Sequence, residues 1–455
     1  MDAVVSADPR APLARLLGRV LRAGGRGGTS LPGKLMLRMD PAAIARLAAP
    51  LPRGSVVVSA TNGKTTTAAF AAAILEAAEV PTVHNVAGAN MAGGIVSALL
   101  ERPANAQLGV FEVDEFWLER VTASLRPRVL LLGNLFRDQL DRYGELETIA
   151  ERWAKLIATL PSKLVLNADD PLIADLGRDR DDTLYFGIED PTAASAAGLT
   201  HASDSKRCRR CGAAYVYTHA YIAHLGVYAC PECGAQRPAP TVSAHEISLD
   251  GLRGATFELR TPLGDTRVTL SLPGLYNVYN ALAAAALAAA LEIEPATIAS
   301  GLAATAAVFG RGERIKVGER ELAILLIKNP AGANEVLRLL GAQDGSHDVL
   351  GILNDRIADG RDVSWIWDAD FETLAPRVRH ATCTGTRAAE LALRLKYAGV
   401  PVERISVSSD LERALREALE RSQGELYALP TYTGMLALRE LLTRSGQAQS
   451  SWARG

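Results

Sequence analysis

From Val56 onward the chain repeats one pattern. A short apolar run rich in β-branched residues gives way to a polar or glycine-containing turn, and a longer alanine- and leucine-rich stretch follows. Val56-Val57-Val58 leads through such a turn to a helix predicted over 68–78, and further apolar runs stand at 108–113, 129–132 and 164–166. Continuous apolar runs of about four to eight residues, alternating with helical stretches, mark strands buried on both faces of a sheet. The expectation is an α/β fold with a mostly parallel, doubly wound sheet. Ligands in such sheets bind beyond the carboxyl ends of the strands. The residues just after each apolar run are therefore the ones to read for chemistry.

The pattern resumes over about 315–455, with apolar runs at 322–327, 349–353 and 405–407, and predicts a second, Rossmann-like α/β domain. Val308-Phe309-Gly310-Arg311-Gly312-Glu313-Arg314 reads as the linker that closes the first domain, expected over 51–314. Residues 1–50 read as a helical lead-in, broken by Gly24-Gly25-Arg26-Gly27-Gly28 and Leu31-Pro32-Gly33, and too short to be a separate substrate domain. Within it Leu13, Leu16, Leu17, Val20 and Leu21 stand at helical spacing beside Arg15, Arg19 and Arg22. Such a face can touch an anionic membrane surface, although packing on the chain's own domain is the favoured expectation.

Composition changes this picture little. The 455 residues leave room for two or three domains, and a 48% apolar, 22% charged chain is globular. A net charge of −2 gives no global attraction for nucleic acid, which is not expected as a partner. No apolar run is long enough to span a bilayer. The N-terminus lacks the unbroken apolar core of a secretion signal, so a cytoplasmic location is expected.

The first apolar run ends in Ser59-Ala60-Thr61-Asn62-Gly63-Lys64-Thr65-Thr66-Thr67. Strand, glycine turn and helix start together make a phosphate-binding loop, because backbone N–H groups and the helix dipole face the anion. Lys64, expected in a solvent-facing loop, would reach the β/γ-phosphates, and the Thr65 hydroxyl would sit on Mg²⁺. The commoner G-x-x-x-x-G-K-[ST] spacing is not met, since Val58 stands at its first glycine. The run over 108–113 ends in Glu112, Asp114 and Glu115. Glu112 is the candidate to complete the Mg²⁺ shell, with a solvated acidic strand end as the alternative. Cys208-x₂-Cys211 and Cys230-x₂-Cys233, with 18 residues between the pairs, match zinc-ligand spacing. Gly212 and Gly234 follow the pairs, where the chain must turn sharply. Four thiolates make a closed tetrahedral site, hence a structural zinc in a ribbon over about 200–240. Disulfides are disfavoured in a chain without a secretion signal. Cys383, in Ala381-Thr382-Cys383-Thr384-Gly385, faintly resembles a nucleophile elbow but reads as a buried cysteine at a strand end.

Five ordered motifs carry a resemblance: ATNGKTT (60–66), FEVDE (111–115), NLFRDQLDRYGE (134–145), VLNADDP (165–171) and LPGLYNVYNALAA (272–284). Over 55–313 the chain resembles the central ATPase domain of the Mur ligase family. The family, to which folylpolyglutamate synthase also belongs, phosphorylates a carboxylate with ATP and lets an amine attack the acyl phosphate. The resemblance implies ATP contacts from Thr61, Asn62, Gly63, Lys64, Thr65 and Thr66, an adenine contact from Asn277, and a phosphate contact from Arg311. It gives Lys64 and Glu112 catalytic roles. The chain departs from the family at Ala60, where glycine is usual, at Gln139, where a metal-binding histidine is usual, and at Tyr276, which also replaces a histidine. The family's carbamylated lysine has no clear match; Lys155 is the lysine nearby.

Lys328-Asn329-Pro330-Ala331-Gly332 stands where a typical Mur ligase shows an Asp-Tyr-Ala-His-type loop. That loop, the ribbon, the short N-terminus and the stretch over 354–368 narrow the resemblance to the MurT-type synthetase subunits of lipid II isoglutaminyl synthase. The resemblance then implies a GatD-like glutamine amidotransferase subunit as partner and lipid II as substrate at the membrane surface. The α-carboxylate of its D-glutamate would become an amide, with ammonia from the partner. It also implies that an acidic residue of this chain completes the partner's Cys-His pair, and Asp355 is the candidate, close behind the run at 349–353. Asp359 and Asp362 are expected to be less well fixed, and Trp365 and Trp367 to alternate along an extended piece that offers apolar area to the partner. Two other readings are an autonomous amide ligase of the folylpolyglutamate type and a nucleotide-gated scaffold without ligase activity, the latter suggested by Gln139 and Ala60.

Overall fold

The computed structural model describes residues 30–85, 89–138, 146–195, 198–199, 203–305 and 311–448, the side chain of Arg311 excepted. The first domain is built on strands β1 (Ser55–Ser59), β2 (Thr82–His84), β3 (Leu108–Glu112), β4 (Val129–Leu132), β5 (Lys163–Asn167) and β6 (Thr183–Ile188). After the cysteine-containing insertion with β7 (Val216–Ile222) and β8 (Leu225–Ala229) come β9 (Val242–Leu249), β10 (Ala255–Thr261) and β11 (Gly264–Leu270). Nine of these form one sheet in the order β11-β10-β9-β6-β5-β4-β1-β3-β2, while β7 and β8 pair separately as a hairpin. The sheet is parallel from β2 to β9 and ends in an antiparallel meander through β10 and β11. Strand periodicity explains the two cores. Val56 and Val58 join the cluster on one face, and Val57 joins that on the other. All five residues of β1 are buried, as a central strand covered on both faces requires.

Where it is described, the lead-in is part of this domain. Helix α1 (Leu31–Met39) lies against the helix over Ala92–Leu100, and Met36 and Ile44 are buried in the cluster that holds Val57 and Phe111. The approach is very close: a Cβ on Gly33 would stand 1.8 Å from the carbonyl oxygen of Gly93.

Two further helices position the chemistry. Helix α2 (Lys64–Ala77) follows β1 and starts at Lys64, four residues before the predicted start, with Gly63 as its N-cap. The buried, alanine-rich α3 (Leu275–Ala290) packs against α2. The second domain carries strands β12 (Arg311–Val317), β13 (Arg320–Leu325), β14 (His347–Ile352), β15 (Val378–Thr384), β16 (Ile405–Val407) and β17 (Leu426–Pro430). Their order is β12-β13-β17-β14-β15-β16, parallel except for the β12–β13 pair. Helix α4 (Pro330–Gly341) leaves the end of β13, and its first residues face the phosphate-binding loop. Trp365 and Trp367 do not extend. They lie in a 3₁₀ turn over Ser364–Trp367, with Trp365 half-buried and Trp367 exposed at 49%.

Candidate active site

The loop between β1 and α2 is zipped onto the strand end beside it. Asn62 N donates to Asn134 Oδ1 (2.9 Å), and Asn134 Nδ2 donates back to Asn62 O (3.0 Å). The Thr61 hydroxyl accepts from Phe136 N at 3.1 Å. Gly63 has φ +85°, and a Cβ there would come within 1.9 Å of Asn280 Oδ1, so both the turn and the packing demand glycine. Having no side chain, Gly63 cannot cap α2, and the first-turn N–H groups are left to an anion.

Lys64 is not solvent-facing as the sequence suggests. Its residue is 8% exposed, and its amine donates to Ala60 O and to Glu115 Oε2, the latter at 2.9 Å. Burial acts to lower its pKa, but Glu115, Glu112 and Asp114 outweigh it, and the lysine stays above its ordinary value. The parallel register sets Glu112 opposite Val58, at the same sheet end as the loop. Glu112 is buried and accepts one hydrogen bond, from Asn90 Nδ2 to Oε1 (3.2 Å); among the described residues its second oxygen has no partner. A buried, half-satisfied carboxylate at the sheet end that also carries the phosphate loop and the half-buried Thr65 fits the oxygen shell of Mg²⁺.

Between the two domains lies a cleft whose walls include Asn62, Gly63, Thr66, Tyr276, Tyr279 and Asn280 from the first domain. Lys328, Gly332 and Glu335 face it from the second, and Ile222 and Leu225 at the turn of the β7–β8 hairpin close one side. The second domain holds the loop directly. Lys328 Nζ donates to Thr61 O (3.0 Å) and pairs with Asp138, and Asn329 Nδ2 donates to Asn62 Oδ1 (3.0 Å). Asn329 also caps α4, accepting from Gly332 N at 2.9 Å. Glu335 is buried with Arg338 at 2.8 Å, and burial pushes its carboxyl up to about 7 against the pull of that arginine.

Thr61, Asn62, Gly63, Lys64, Thr65, Thr66 and Glu112 thus come together at one sheet end. Asn277 does not join them on the wall. It is 1% exposed, its amide donates to Pro273 O at 2.7 Å, and its oxygen accepts from Asn280. Asn280 lines the cleft instead, on the helix face that it shares with Tyr276 and Tyr279 at i, i+3 and i+4 spacing. Gln139 and the side chain of Arg311 lie outside the described residues. Lys155 is exposed on its helix and is not part of the cleft wall. Glu115, Asn134, Lys328, Asn329 and Glu335 join the site with no motif to assign them to it. Nothing in one sequence says that the Lys-Asn-Pro loop reaches Thr61.

Asp355 stands elsewhere, in a surface depression with Arg356, Ile357, Arg361 and Thr433. Its carboxylate accepts from Thr386 Oγ1 at 2.8 Å and lies 3.8 Å from Arg387. The better-fixed neighbour is Asp359, contrary to expectation. It is 5% exposed and accepts from both the backbone N–H and the hydroxyl of Thr433. A second cleft is lined by Asp359, Asp362 and Trp365 of this loop together with Arg137, Asp138 and Lys328, the last of which also donates to Thr61 O. Cys383 is fully buried, and burial pushes its thiol up to about 12, which leaves it no nucleophilic role.

The four other cysteines cluster, with all sulfurs within 4.8 Å of one another and no disulfide among them. Cys208–Cys233 and Cys211–Cys230 are 3.6 and 3.4 Å apart. Four sulfurs about 2.3 Å from a tetrahedral centre lie roughly 3.8 Å apart, so the cluster fits a metal of zinc's geometry. Gly212 and Gly234 have φ +79° and +71°, as the two turns need. The insertion is tied to the sheet through Arg237, which donates to Asp169 at 2.6 Å, while Tyr279 of the cleft wall donates to the same carboxylate at 2.6 Å.

Residues 58–224 match the model of the Mur ligase middle domain, and residues 326–435 that of the MurT ligase C-terminal domain. Among solved structures, the pseudomurein peptide ligase type C from Methanothermus fervidus is similar with a TM-score of 0.69 and 25% identity, over 88% of this chain and 80% of that one. Folylpolyglutamate synthase from Mycobacterium tuberculosis, complexed with ADP and AMPPCP, is similar with a TM-score of 0.62 and 16% identity, over 91% of this chain and 98% of that one. The two-domain frame and its phosphate loop are therefore those of a Mur ligase, an ATP-dependent amide ligase of peptidoglycan synthesis. In sequence the chain is 35% identical to the lipid II isoglutaminyl synthase (glutamine-hydrolyzing) subunit MurT of Staphylococcus aureus (strain N315), over 96% of this chain and 98% of the relative. It belongs to the MurT family of synthetase subunits.

Proposed function

We propose that this chain uses ATP to amidate the α-carboxylate of D-glutamate in the stem peptide of lipid II, giving D-isoglutamine, with ammonia supplied by a GatD-like glutaminase subunit in a heterodimer. The observation that carries the reading is the pairing of the phosphate-loop cleft with a second polar cleft, both bordered by Lys328, in a chain similar over nearly its whole length to a glutamine-hydrolyzing synthetase subunit. A carboxylate resists ammonia until one of its oxygens becomes a leaving group. Transfer of the γ-phosphoryl group to that oxygen supplies one: the bond to the β–γ bridging oxygen breaks, and ADP leaves. Ammonia then attacks the acyl carbon, phosphate departs with the carboxylate oxygen, and the nitrogen loses a proton. Lys64 and the N–H groups at the start of α2 hold the phosphates and spread the charge of the transferring group. Mg²⁺, held by Thr65 and Glu112, would neutralise the phosphate oxygens further. Zinc on Cys208, Cys211, Cys230 and Cys233 is structural in this reading, since four thiolates leave no open position. The work is placed in the cytoplasm at the inner face of the membrane, where a lipid-linked substrate and ATP meet.

Asp355 serves the partner. It lies in a depression apart from the phosphate loop, fixed by Thr386 and close to the exposed Ile357. In this role its carboxylate orients the imidazole of the partner's Cys-His pair. The test compares two ammonia sources in the reconstituted complex. Asp355→Asn is expected to lower glutamine-driven amidation by about 10²-fold or more, as loss of an orienting carboxylate does, and to spare amidation driven by added ammonium salt. Equal loss of both would assign Asp355 to the synthetase site, and turnover with a free amino acid and no partner would favour the folylpolyglutamate-type ligase.

A further inference from the structure

The side chain of Lys328 belongs to both clefts. It lines the phosphate-loop cleft and the second, polar cleft, and it stands where they meet. Its ammonium group has three donors. One goes to the carbonyl of Thr61 inside the phosphate-binding loop (3.0 Å), and one to Asp138, whose carboxylate is 8% exposed. These two acceptors fix the nitrogen at the loop and leave a third proton for a ligand. Asp138 Oδ1 is buried without a partner among the described residues, so this polar junction is incomplete as it stands. Arg137, the other cation of the second cleft, is held by Asp204 of the insertion.

We propose that Lys328 is a catalytic residue of the amidation, which donates to the oxygen shared between phosphorus and the acyl carbon. The inference rests on the reading given under Proposed function. In phosphoryl transfer the attacking carboxylate oxygen gives up negative charge to phosphorus, so a cation on that oxygen acts in the step that follows. There the C–O bond breaks and the same oxygen takes up charge that the acyl phosphate ground state lacks, and stabilising such charge is what lowers a barrier. When ammonia attacks, phosphate leaves with the same oxygen, and the same donor stabilises the departing charge. Lys328 gains and loses no proton in either step. Because it comes from the second domain, it brings the two domains' halves of the reaction into one contact. Lys64 reaches the same Thr61 carbonyl from its own loop at 3.4 Å and donates besides to Ala60 O and Glu115.

The competing role is a strut that merely ties the domains together, and the experiment separates the two. The full chain is given ATP, lipid II and hydroxylamine, which traps the acyl phosphate as a hydroxamate without a glutaminase. ATP affinity is measured in parallel. Lys328→Met is expected to lower hydroxamate formation by about 10²–10³-fold, the effect of removing one charge-stabilising donor, with ATP affinity within about threefold of wild type. Lys328→Arg, which keeps the charge, is expected to recover at least tenfold of that loss. Hydroxamate formation by Lys328→Met within tenfold of wild type would overturn the assignment, and so would a matching fall in ATP affinity, the mark of a strut. If the wild-type chain itself yields no hydroxamate, the acyl phosphate reading fails, and that failure is seen before any variant is compared.

Discussion

At the scale of single residues, burial decides what each substitution does. Lys64 illustrates this. A lysine in an open loop could be truncated freely, but this one is paired with Glu115, whose side chain is 8% exposed. Lys64→Ala removes the charge we assign to the phosphates and also leaves a buried carboxylate unpaired. We expect ATP-dependent turnover to vanish and the folded state to lose about 3 kcal/mol, as when one partner of a buried pair is removed; chemical denaturation with and without ADP would measure both. A Lys64→Ala chain as stable as wild type would mean that the lysine is not buried in solution.

Glu335 makes a second residue-scale prediction. Its carboxyl is pushed up to about 7 by burial, from an ordinary value near 4.5. Between those values the folded chain holds a proton that the unfolded chain has lost, so stability falls as pH rises through that window and levels off above about 7. Glu335→Gln removes the titrating group. The stability difference between pH 5 and pH 8 should shrink by about 1–3 kcal/mol in Glu335→Gln. An unchanged pH profile would show that Glu335 titrates as an exposed carboxylate. Neither property was legible in the sequence. The motif identified Lys64, yet its exposure depends on Glu115, which is 51 residues away. Glu335 sits in an ordinary helical stretch, and only the fold brings it to a cleft.

Elements were more legible than residues. The apolar runs at 108–113, 129–132 and 164–166 are strands because period-two burial on both faces requires unbroken apolar sequence, and β3, β4 and β5 stand there. The turn that opens α2 was legible from Gly63 alone. Less legible was the orientation of α3. Asn277 and Asn280 are equivalent by composition, and only the packing of that helix against α2 decides which one faces the cleft. Alternation over four residues cannot distinguish a strand from a 3₁₀ turn, and the tryptophan stretch forms the turn. The insertion was legible as a cysteine ribbon but not as a wall of the cleft. Ile222 and Leu225 reach the cleft from the ribbon hairpin, and Arg237 shares Asp169 with Tyr279. We therefore expect one zinc per chain by elemental analysis. Cys208→Ser should loosen the hairpin and weaken ADP binding by about tenfold, the effect of losing roughly 1.4 kcal/mol of contact. ADP affinity unchanged in a metal-depleted Cys208→Ser chain would separate the ribbon from the cleft.

For the whole molecule, the arrangement of the two domains supports the chemistry. The first domain supplies a phosphate loop and acidic strand ends, and the second supplies Lys328 and Asn329 to the loop and Asp355 to a separate surface. The central claim is that a carboxylate oxygen passes through a phosphorylated intermediate. It is tested most directly by isotope. Lipid II carrying ¹⁸O in the glutamyl α-carboxylate is incubated with the chain, ATP and an ammonium salt, and the inorganic phosphate is analysed by mass. One ¹⁸O atom should appear in phosphate for each amide formed, because the bridging oxygen leaves with phosphorus. Amide formed with unlabelled phosphate would contradict the account.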